Sequence, residues 1–199
     1  MRLSRRGPLA VLALLVAGCA QLPGFEPAPP APLVLSSAPG AFRLEGRVSV
    51  KAGEESFSGG LAWRRGGGTE ELLLNTPLGQ GVAELRGDSE GVTLTDAKGQ
   101  TYRAPDADAL VRQALGLELP LRGLASWVVG HPRPGAAFRA EPDEVGRLGV
   151  LEQDEWRIEF SRYSLQGKTM LPGKLIARRG EALEVRVVVD YWELPGVGP

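Results

Sequence analysis

The fold is organised around the sequence LLLNTPLGQGV, residues 72–82. Its two apolar ends predict neighbouring antiparallel strands. The segment Thr76-Pro77-Leu78-Gly79 predicts a tight turn, because proline presets φ at the second position and glycine accepts a strained last position. Leu78 is therefore expected at the tip, where soluble domains normally carry Asn, Asp or Ser. Two interpretations stay open at this point: a leucine folded back onto its own sheet, and a leucine exposed for function.

Residues 1–18 predict an export signal that is removed from the mature protein. Three arginines precede an apolar run from Leu9 to Ala17, which is too short to span a bilayer as a helix. The run ends in Val16-Ala17-Gly18-Cys19, which resembles the lipobox of bacterial lipoproteins. We expect Cys19, the single cysteine of the sequence, to be lipidated and to become the mature N-terminus. Ala20 follows it. An Asp at this position would resemble the signal that retains many Gram-negative lipoproteins in the inner membrane, so its absence favours the outer membrane.

The charge of the mature chain argues against nucleic acid as a partner. Removing residues 1–18 takes away three arginines, which leaves 20 basic against 24 acidic residues and a formal charge of −4. No basic stripe remains. Residues 19–41 are rich in proline and predict an extended linker that joins the lipidated cysteine to the domain. The domain is expected over residues 42–194, with a frayed tail over residues 195–199.

The domain is predicted to consist mainly of strands. Apolar and polar residues alternate in FRLEGRVSV, residues 42–50, and again from Phe57 to Trp63, as in strands with one solvated face. Further strands are expected at residues 72–74, 82–85, 92–94, 100–103, 147–151, 156–160, 174–178 and 183–191. Their regular spacing, with glycine-rich turns between them, predicts an antiparallel meander.

Two amphipathic helices are expected after the first six strands. Asp106 is placed to cap a helix over Ala107 to Leu115, and Pro120 opens a second helix that stops at Gly130. Each helix is apolar on one side only, so both must cover the apolar face of the sheet. The sequence therefore predicts an α+β, mostly β fold, in which a curved antiparallel sheet of about 11 strands forms an incomplete barrel under a helical lid.

Residue types that carry catalysis are sparse. His131 is the single histidine and lies between glycine and proline, so a catalytic triad or a multi-histidine metal site has little to build on. Asp154-Glu155 fits a solvated hairpin turn, and Gly66-Gly67-Gly68 lacks the Lys and Ser/Thr of a phosphate loop. We expect no enzyme, no metal and no cofactor, although a carboxylate pair assembled by the fold stays open.

Large aromatic residues give the strongest positive indication. Trp63, Trp127 and Trp156 fall on the inward faces of predicted strands or on a helix stripe. A filled core is one interpretation, since Trp is common in cores. The other is a partly unfilled interior, because a curved sheet covered by two short helices leaves an apolar hollow suited to acyl chains.

Several short motifs, in this order behind a lipobox, resemble the LolB family of outer-membrane lipoprotein receptors. The resemblance runs from Phe42 to Trp192. It is carried by Gly46-Arg47, Leu61-Ala62-Trp63, LLLNTPLG at 72–79, Thr93-Leu94, Gly99-Gln100, Leu119-Pro120, Trp127-Val128-Val129-Gly130, Trp156 and Asp190-Tyr191-Trp192. Each motif is weak alone, but the set in this order is specific.

The resemblance implies a receptor that takes lipoproteins from the periplasmic carrier LolA and inserts them into the outer membrane, without covalent chemistry. Pro77, Leu78 and Gly79 match an exposed loop that inserts into the membrane. The residues expected to line an apolar acyl-chain cavity are Phe42, Leu44, Leu61, Trp63, Trp127 and Trp156. The implied partners are a LolA-like carrier, the acyl chains of cargo lipoproteins and outer-membrane lipid. The receptor is expected to be a monomer that faces the periplasm from the inner leaflet.

Two other functions stay open from the sequence. One is a structural lipoprotein of outer-membrane assembly, in which the aromatic residues fill a conventional core. The other is a lipid-modifying hydrolase, for which the sequence offers fewer residues. A receptor differs from both because it binds intact acyl chains.

Overall fold

The structure is a computed structural model that describes residues 31–115 and 119–195. The expected export signal, the lipidation site Cys19 and residues 20–30 of the linker lie outside the described residues. Residues 116–118, between the two helices, and residues 196–199 of the tail also lie outside them.

Thirteen strands and two helices follow one another along the described chain. The strands are β1 (Phe42–Ala52), β2 (Glu55–Gly66), β3 (Thr69–Asn75), β4 (Gly81–Asp88), β5 (Gly91–Asp96), β6 (Thr101–Ala104), β7 (Phe138–Pro142), β8 (Leu148–Gln153), β9 (Trp156–Ser161), β10 (Ser164–Gln166), β11 (Thr169–Leu171), β12 (Lys174–Arg179) and β13 (Leu183–Glu193). The helices are α1 (Ala107–Leu115) and α2 (Leu121–Trp127).

Eleven of the strands form one sheet in the order β6-β5-β4-β3-β2-β1-β13-β12-β9-β8-β7. Every pair of neighbours is antiparallel. The edge strands β6 and β7 are not paired with each other, so the sheet is open rather than a closed barrel. The remaining two strands, β10 and β11, form a separate hairpin. The predicted fold class, a mostly β protein with an open antiparallel sheet and two helices, is confirmed.

Alternation of side chains gives the sheet a buried inner face and a solvated outer face. In β1, Phe42 and Leu44 are buried, whereas Arg43 and Glu45, which alternate with them, are exposed. This pattern follows from the period of two along a strand. The inner faces of the central strands and the apolar side of α2 form one hydrophobic core.

Both predicted helices form, but α2 ends at Trp127, two residues before the predicted end at Val129. The carboxylate of Asp106 accepts a hydrogen bond from the backbone N–H of Ala109 at 2.9 Å, which caps α1. The chain leaves the region of α2 through Gly130, whose φ of 76° is in the left-handed region that favours glycine. Helix α1 packs on β5, β6 and α2, so the two helices cover part of the inner face.

Three short strands, β7, β10 and β11, do not appear among the strands expected from the sequence. Strand β7 is a sheet edge that ends in Pro142, where its register with β8 shifts. Strands β10 and β11 have three residues each. Elements of this length carry too few residues to display a periodic pattern.

The last part of the proline-rich segment lies against the domain. The backbone N–H of Val34 donates to the carbonyl of Gly146 at 2.8 Å, in the turn between β7 and β8. Leu33 packs against the core, and the Ser36 hydroxyl donates to the carbonyl of Met170 at 3.5 Å. The described chain thus begins beside the β7–β8 turn rather than at the start of β1.

Antiparallel order gives the sheet two ends, the loop end and the tether end. The loop end contains the connections at residues 53–54, 76–80, 97–100, 154–155 and 180–182. The tether end contains the connections at residues 67–68, 89–90 and 143–147, together with the β10–β11 hairpin. Leu78 belongs to the loop end, whereas the first described residues of the chain lie at the tether end.

Candidate functional site

The predicted turn around Leu78 forms at the loop end. The backbone N–H of Gly79 donates to the carbonyl of Thr76 at 2.9 Å, and Gly79 takes a φ of 84°. The N–H of Gln80 also donates to the Thr76 hydroxyl at 3.1 Å, which fixes the turn further. Leu78 is 90% exposed. The leucine is therefore held out into solvent and is not folded back onto its sheet.

A groove of about 590 Å³ lies beside this turn. Pro77 and Gly79 line it together with Val48, Gly60 and Val188. Arg47 also lines the groove, and its guanidinium donates two hydrogen bonds, of 3.1 and 2.8 Å, to the carboxylate of Asp190. The loop that carries the exposed leucine thus borders a partly apolar recess.

The six residues expected to line a cavity share the inner face and belong to one hydrophobic cluster. All six are buried, with at most 5% exposure: Phe42, Leu44, Leu61, Trp63, Trp127 and Trp156. The structure therefore brings together every residue of this set. In the described structure these side chains lie in a packed core, and their role in binding acyl chains stays a prediction.

One half of this core is an aromatic group around Phe42. The Phe42 ring lies edge-to-face against Trp63 at 5.8 Å and against Trp192 at 5.7 Å between ring centroids. The indole N–H of Trp63 donates to the carboxylate of Glu70 at 2.8 Å. In contrast, the buried indole N–H of Trp192 has no acceptor among the described residues. A buried donor without a partner is rare and costly.

The other half connects α2 to the end of β8. The ring centroids of Trp127 and Trp156 lie 6.2 Å apart. The indole N–H of Trp127 donates to the side-chain oxygen of Gln153 at 2.9 Å. The same oxygen accepts the backbone N–H of Arg133 at 2.7 Å, and the Gln153 amide donates back to the Arg133 carbonyl at 2.9 Å. Gln153 was not singled out from the sequence. Its signal would have been a polar residue at an inward position of a strand.

A charged groove of about 380 Å³ reaches the edge of Trp156 from the solvent. Its charged lining residues are Asp108, Arg112, Arg122, Arg133, Asp154 and Arg179. Arg133 donates to both oxygens of Asp154 at 2.8 and 3.0 Å, and the Arg122 Nε donates to Asp108 at 3.0 Å. These pairs hold the guanidinium groups in place at the rim between α2 and the sheet.

His131 is half-buried in the loop that follows α2. Burial lowers the pKa of its imidazole, and a hydrogen bond to the backbone of Ser36 opposes that shift. The imidazole thus contacts the segment that precedes β1. Within residues 31–115 and 119–195, no three His, Cys, Asp or Glu side chains converge as a metal site.

Among the described residues, neither helix has the length and hydropathy to cross a membrane.

Sequence comparison identifies close relatives over nearly the whole chain. The profile of the family described as "Outer membrane lipoprotein LolB" matches residues 40–192. The Outer-membrane lipoprotein LolB of Thiobacillus denitrificans is 39% identical over 190 residues, which cover 95% of this chain and 97% of that protein. Its counterpart in Chromobacterium violaceum is 37% identical over 189 residues, covering 95% of this chain and 99% of that protein.

Solved structures share the fold at low sequence identity. A LolA superfamily protein from Nitrosomonas europaea superposes with a TM-score of 0.52 at 8% identity, covering 82% of this chain and 90% of that chain. A DUF1329 family protein from Desulfovibrio piger gives a TM-score of 0.54, also at 8% identity, covering 82% of this chain and 89% of that chain. At this identity the likeness concerns the fold alone.

Proposed function

The chain belongs to the LolB family of outer-membrane lipoproteins, and on that premise we propose that it is the receptor that accepts lipoproteins from a periplasmic carrier and delivers them to the outer membrane. The observation that carries the proposal is Leu78, which is 90% exposed at the tip of a turn with defined hydrogen bonds. An apolar side chain presented in this way suits contact with lipid.

The physical need for such a receptor is the cost of exposing lipid to water. Each exposed methylene costs about 0.8 kcal/mol. Baring ten of them in transit would therefore add about 8 kcal/mol to a barrier, on the order of a million-fold in rate. Acyl chains that pass directly from one apolar protein surface to another avoid this cost. Because the periplasm holds no ATP, we infer that delivery follows increasing affinity from carrier to receptor to membrane.

We place the acyl chains on the inner face, between the sheet and the helices. The side chains there are in contact with one another, so cargo chains enter by separating these contacts. Two hydrogen bonds attach helix α2 to the sheet. The indole N–H of Trp127 donates to the side chain of Gln153, and the guanidinium of Arg65 donates to the carbonyl of Ala125 at 3.4 Å. The groove that reaches Trp156 is the proposed entrance.

The unpaired donor of Trp192 supports a bound ligand in this interior. Its indole N–H is buried beside Phe42 without an acceptor among the described residues. A conventional filled core would leave that donor unsatisfied, which costs about 1–3 kcal/mol. The ester carbonyl of a bound acyl group would supply an acceptor. This donor favours a bound acyl group over a filled core, and the family assignment favours a receptor over a hydrolase.

Leu78 is assigned a local role in release. Burying one leucine in lipid contributes only about 1.5–3 kcal/mol, which is too little to anchor a domain. The lipid on Cys19 is the proposed anchor, and a mature charge of −4 gives no electrostatic attraction to an anionic surface. Pro77 and Gly79 hold the turn so that Leu78 enters the leaflet where cargo chains leave the receptor.

A structural lipoprotein with a filled core is the second candidate, because the aromatic side chains of the inner face touch one another. Mass spectrometry of lipids that copurify with residues 19–199 carrying Cys19→Ala, produced without the export signal, separates these functions. A receptor returns intact acylated molecules. A filled core returns none, and cleaved acyl chains would indicate a hydrolase.

A further inference from the structure

A second exposed apolar surface lies at the tether end, far from the loop that carries Leu78. It consists of Val34, Val145 and Leu165, which are 70%, 67% and 64% exposed. We call these three residues the tether-end patch. They come from three separate segments of the chain: the stretch before β1, the β7–β8 turn, and the β10–β11 hairpin.

Contacts between these segments hold the patch together. The backbone N–H of Val34 donates to the carbonyl of Gly146, the residue that follows Val145 in the sequence. The hydroxyl of Ser36 donates to Met170, which is the direct cross-strand partner of Leu165. The segment before β1 therefore bridges the turn and the hairpin, so the three exposed apolar residues belong to one end of the domain.

The length of chain before the described residues restricts how the domain stands on the membrane. Twelve residue steps separate Cys19 from Ala31, which begins beside Gly146 at the tether end. A fully extended chain of that length spans about 40 Å. Strand β1 has 11 residues and runs from the tether end to the loop end, a distance of about 36 Å. If the strands stand upright with the loop end on the leaflet, the tether must therefore span nearly its full length.

We propose that the tether-end patch rests on the leaflet that holds the Cys19 lipid, as a second membrane-contact surface. In this resting orientation the loop end and Leu78 face the periplasm, where a loaded carrier arrives. Delivery then requires the domain to tip over on its extended tether. This inference depends on the lipid anchor and not on the transfer of lipoproteins, so either can fail alone.

Local charge indicates which lipid the patch suits. Exposed Lys168 lies in the turn of the β10–β11 hairpin, and exposed Glu144 precedes Val145 in its turn. Charges of both signs thus border the apolar residues, while the mature chain carries a formal charge of −4. The contact is therefore apolar rather than electrostatic. Zwitterionic lipid should suffice, and added salt should leave the contact in place.

The test uses the full lipidated protein reconstituted in zwitterionic vesicles of phosphatidylethanolamine and phosphatidylcholine. Since Cys19 is the single cysteine and its thiol is consumed by lipidation, Val145→Cys provides a unique site for an environment-sensitive fluorophore. Glu54→Cys, exposed in the turn after β1, is the matched site at the loop end. Both positions are exposed turn residues, so neither label disturbs the core.

We expect vesicles that contain nitroxide-labelled lipid to quench most of the fluorescence at position 145 and little at position 54. The emission at position 145 should also shift to the blue, and the shift should persist in high salt. Equal quenching at the two sites would overturn the proposal. A label at position 145 that stays in water until a carrier protein is added would overturn it too, since the patch would then be a protein interface.

Discussion

Leu78→Glu tests whether the exposed loop delivers cargo to the membrane. Leu78 is 90% exposed, and the hydrogen bonds of its turn join Thr76 to Gly79 and Gln80. The substitution therefore removes little packing. We expect the free energy of unfolding to change by no more than about 0.5 kcal/mol, as for other surface substitutions. Folding and acceptance of cargo from the carrier should survive.

The expected effect on release follows from the burial of one leucine. Transfer of a leucine side chain into lipid contributes about 1.5–3 kcal/mol. If that contribution is made in the step that inserts the cargo, its loss slows delivery roughly 10- to 150-fold, because 1.36 kcal/mol corresponds to a factor of ten in rate. A glutamate at the same position adds the cost of bringing a charge to the leaflet.

The assay has two stages, so that acceptance and release are measured separately. The receptor is first loaded from a carrier, then mixed with liposomes, and the cargo in the membrane fraction is followed over time. Gln80→Glu is the matched control, because it adds the same charge to the same exposed loop but keeps Leu78. Delivery by Leu78→Glu at the rate of the parent protein would show that this leucine has no part in release.

Three further variants test the interior and the pH response. Trp63→Ala removes a buried ring, so urea titration should show a loss of about 3–5 kcal/mol in unfolding free energy. Uptake of lipoprotein from a loaded carrier should also weaken. Unchanged uptake would exclude Trp63 from the cavity. Trp192→Phe removes a buried unpaired donor, and this gain offsets part of the packing lost with the larger ring, so unfolding free energy should fall by less than for Trp63→Ala. Less ester-linked lipid should copurify by mass spectrometry, and an equal lipid yield would contradict the proposed contact. Burial alone would raise the pKa of Asp143, but hydrogen bonds from Arg147 and the backbone make the net shift a lowering. The ionised carboxylate therefore stabilises the fold at pH values above the pKa of the unfolded chain. This stabilisation is lost as the pH falls through the lower pKa of the folded protein. Thermal melts below about pH 4 should therefore show a smaller further loss of stability for Asp143→Asn than for the parent, and parallel curves would show that the ion pair contributes nothing.

Most of the sheet was predictable because its strands are long and have one solvated face. In β1 and the first part of β13 the period of two makes the inward and outward sets plain in the sequence. The period breaks in β13 after Val189, where a bulge opposite β1 places Tyr191 outside and Trp192 inside, and strict alternation does not predict this. The turn at residues 76–79 was predictable for another reason. Proline and glycine there leave the backbone few alternatives, and the observed φ of Gly79 is the one that the sequence required.

The features that the sequence did not predict depend on contacts between distant segments. The bridge from Val34 to Gly146 is a backbone hydrogen bond, which no side-chain pattern encodes. Gln153 is buried because Trp127 and Arg133 approach it from a helix and a loop about 20 or more residues away. The two ends of the domain and the tether-end patch likewise follow from topology. None of these is a local property of the chain, and only the folded arrangement reveals them.

Transfer of cargo in the absence of membrane tests the receptor function most directly. A carrier loaded with an acylated lipoprotein is mixed, without vesicles, with residues 19–199 carrying Cys19→Ala and lacking the export signal. The two proteins are then separated by an affinity tag on one of them. The proposed function predicts that the lipoprotein leaves the carrier and copurifies with this protein, with its acyl chains intact. Cargo that stays on the carrier, at protein concentrations where both are folded, would contradict a receptor that accepts lipoproteins on its inner face.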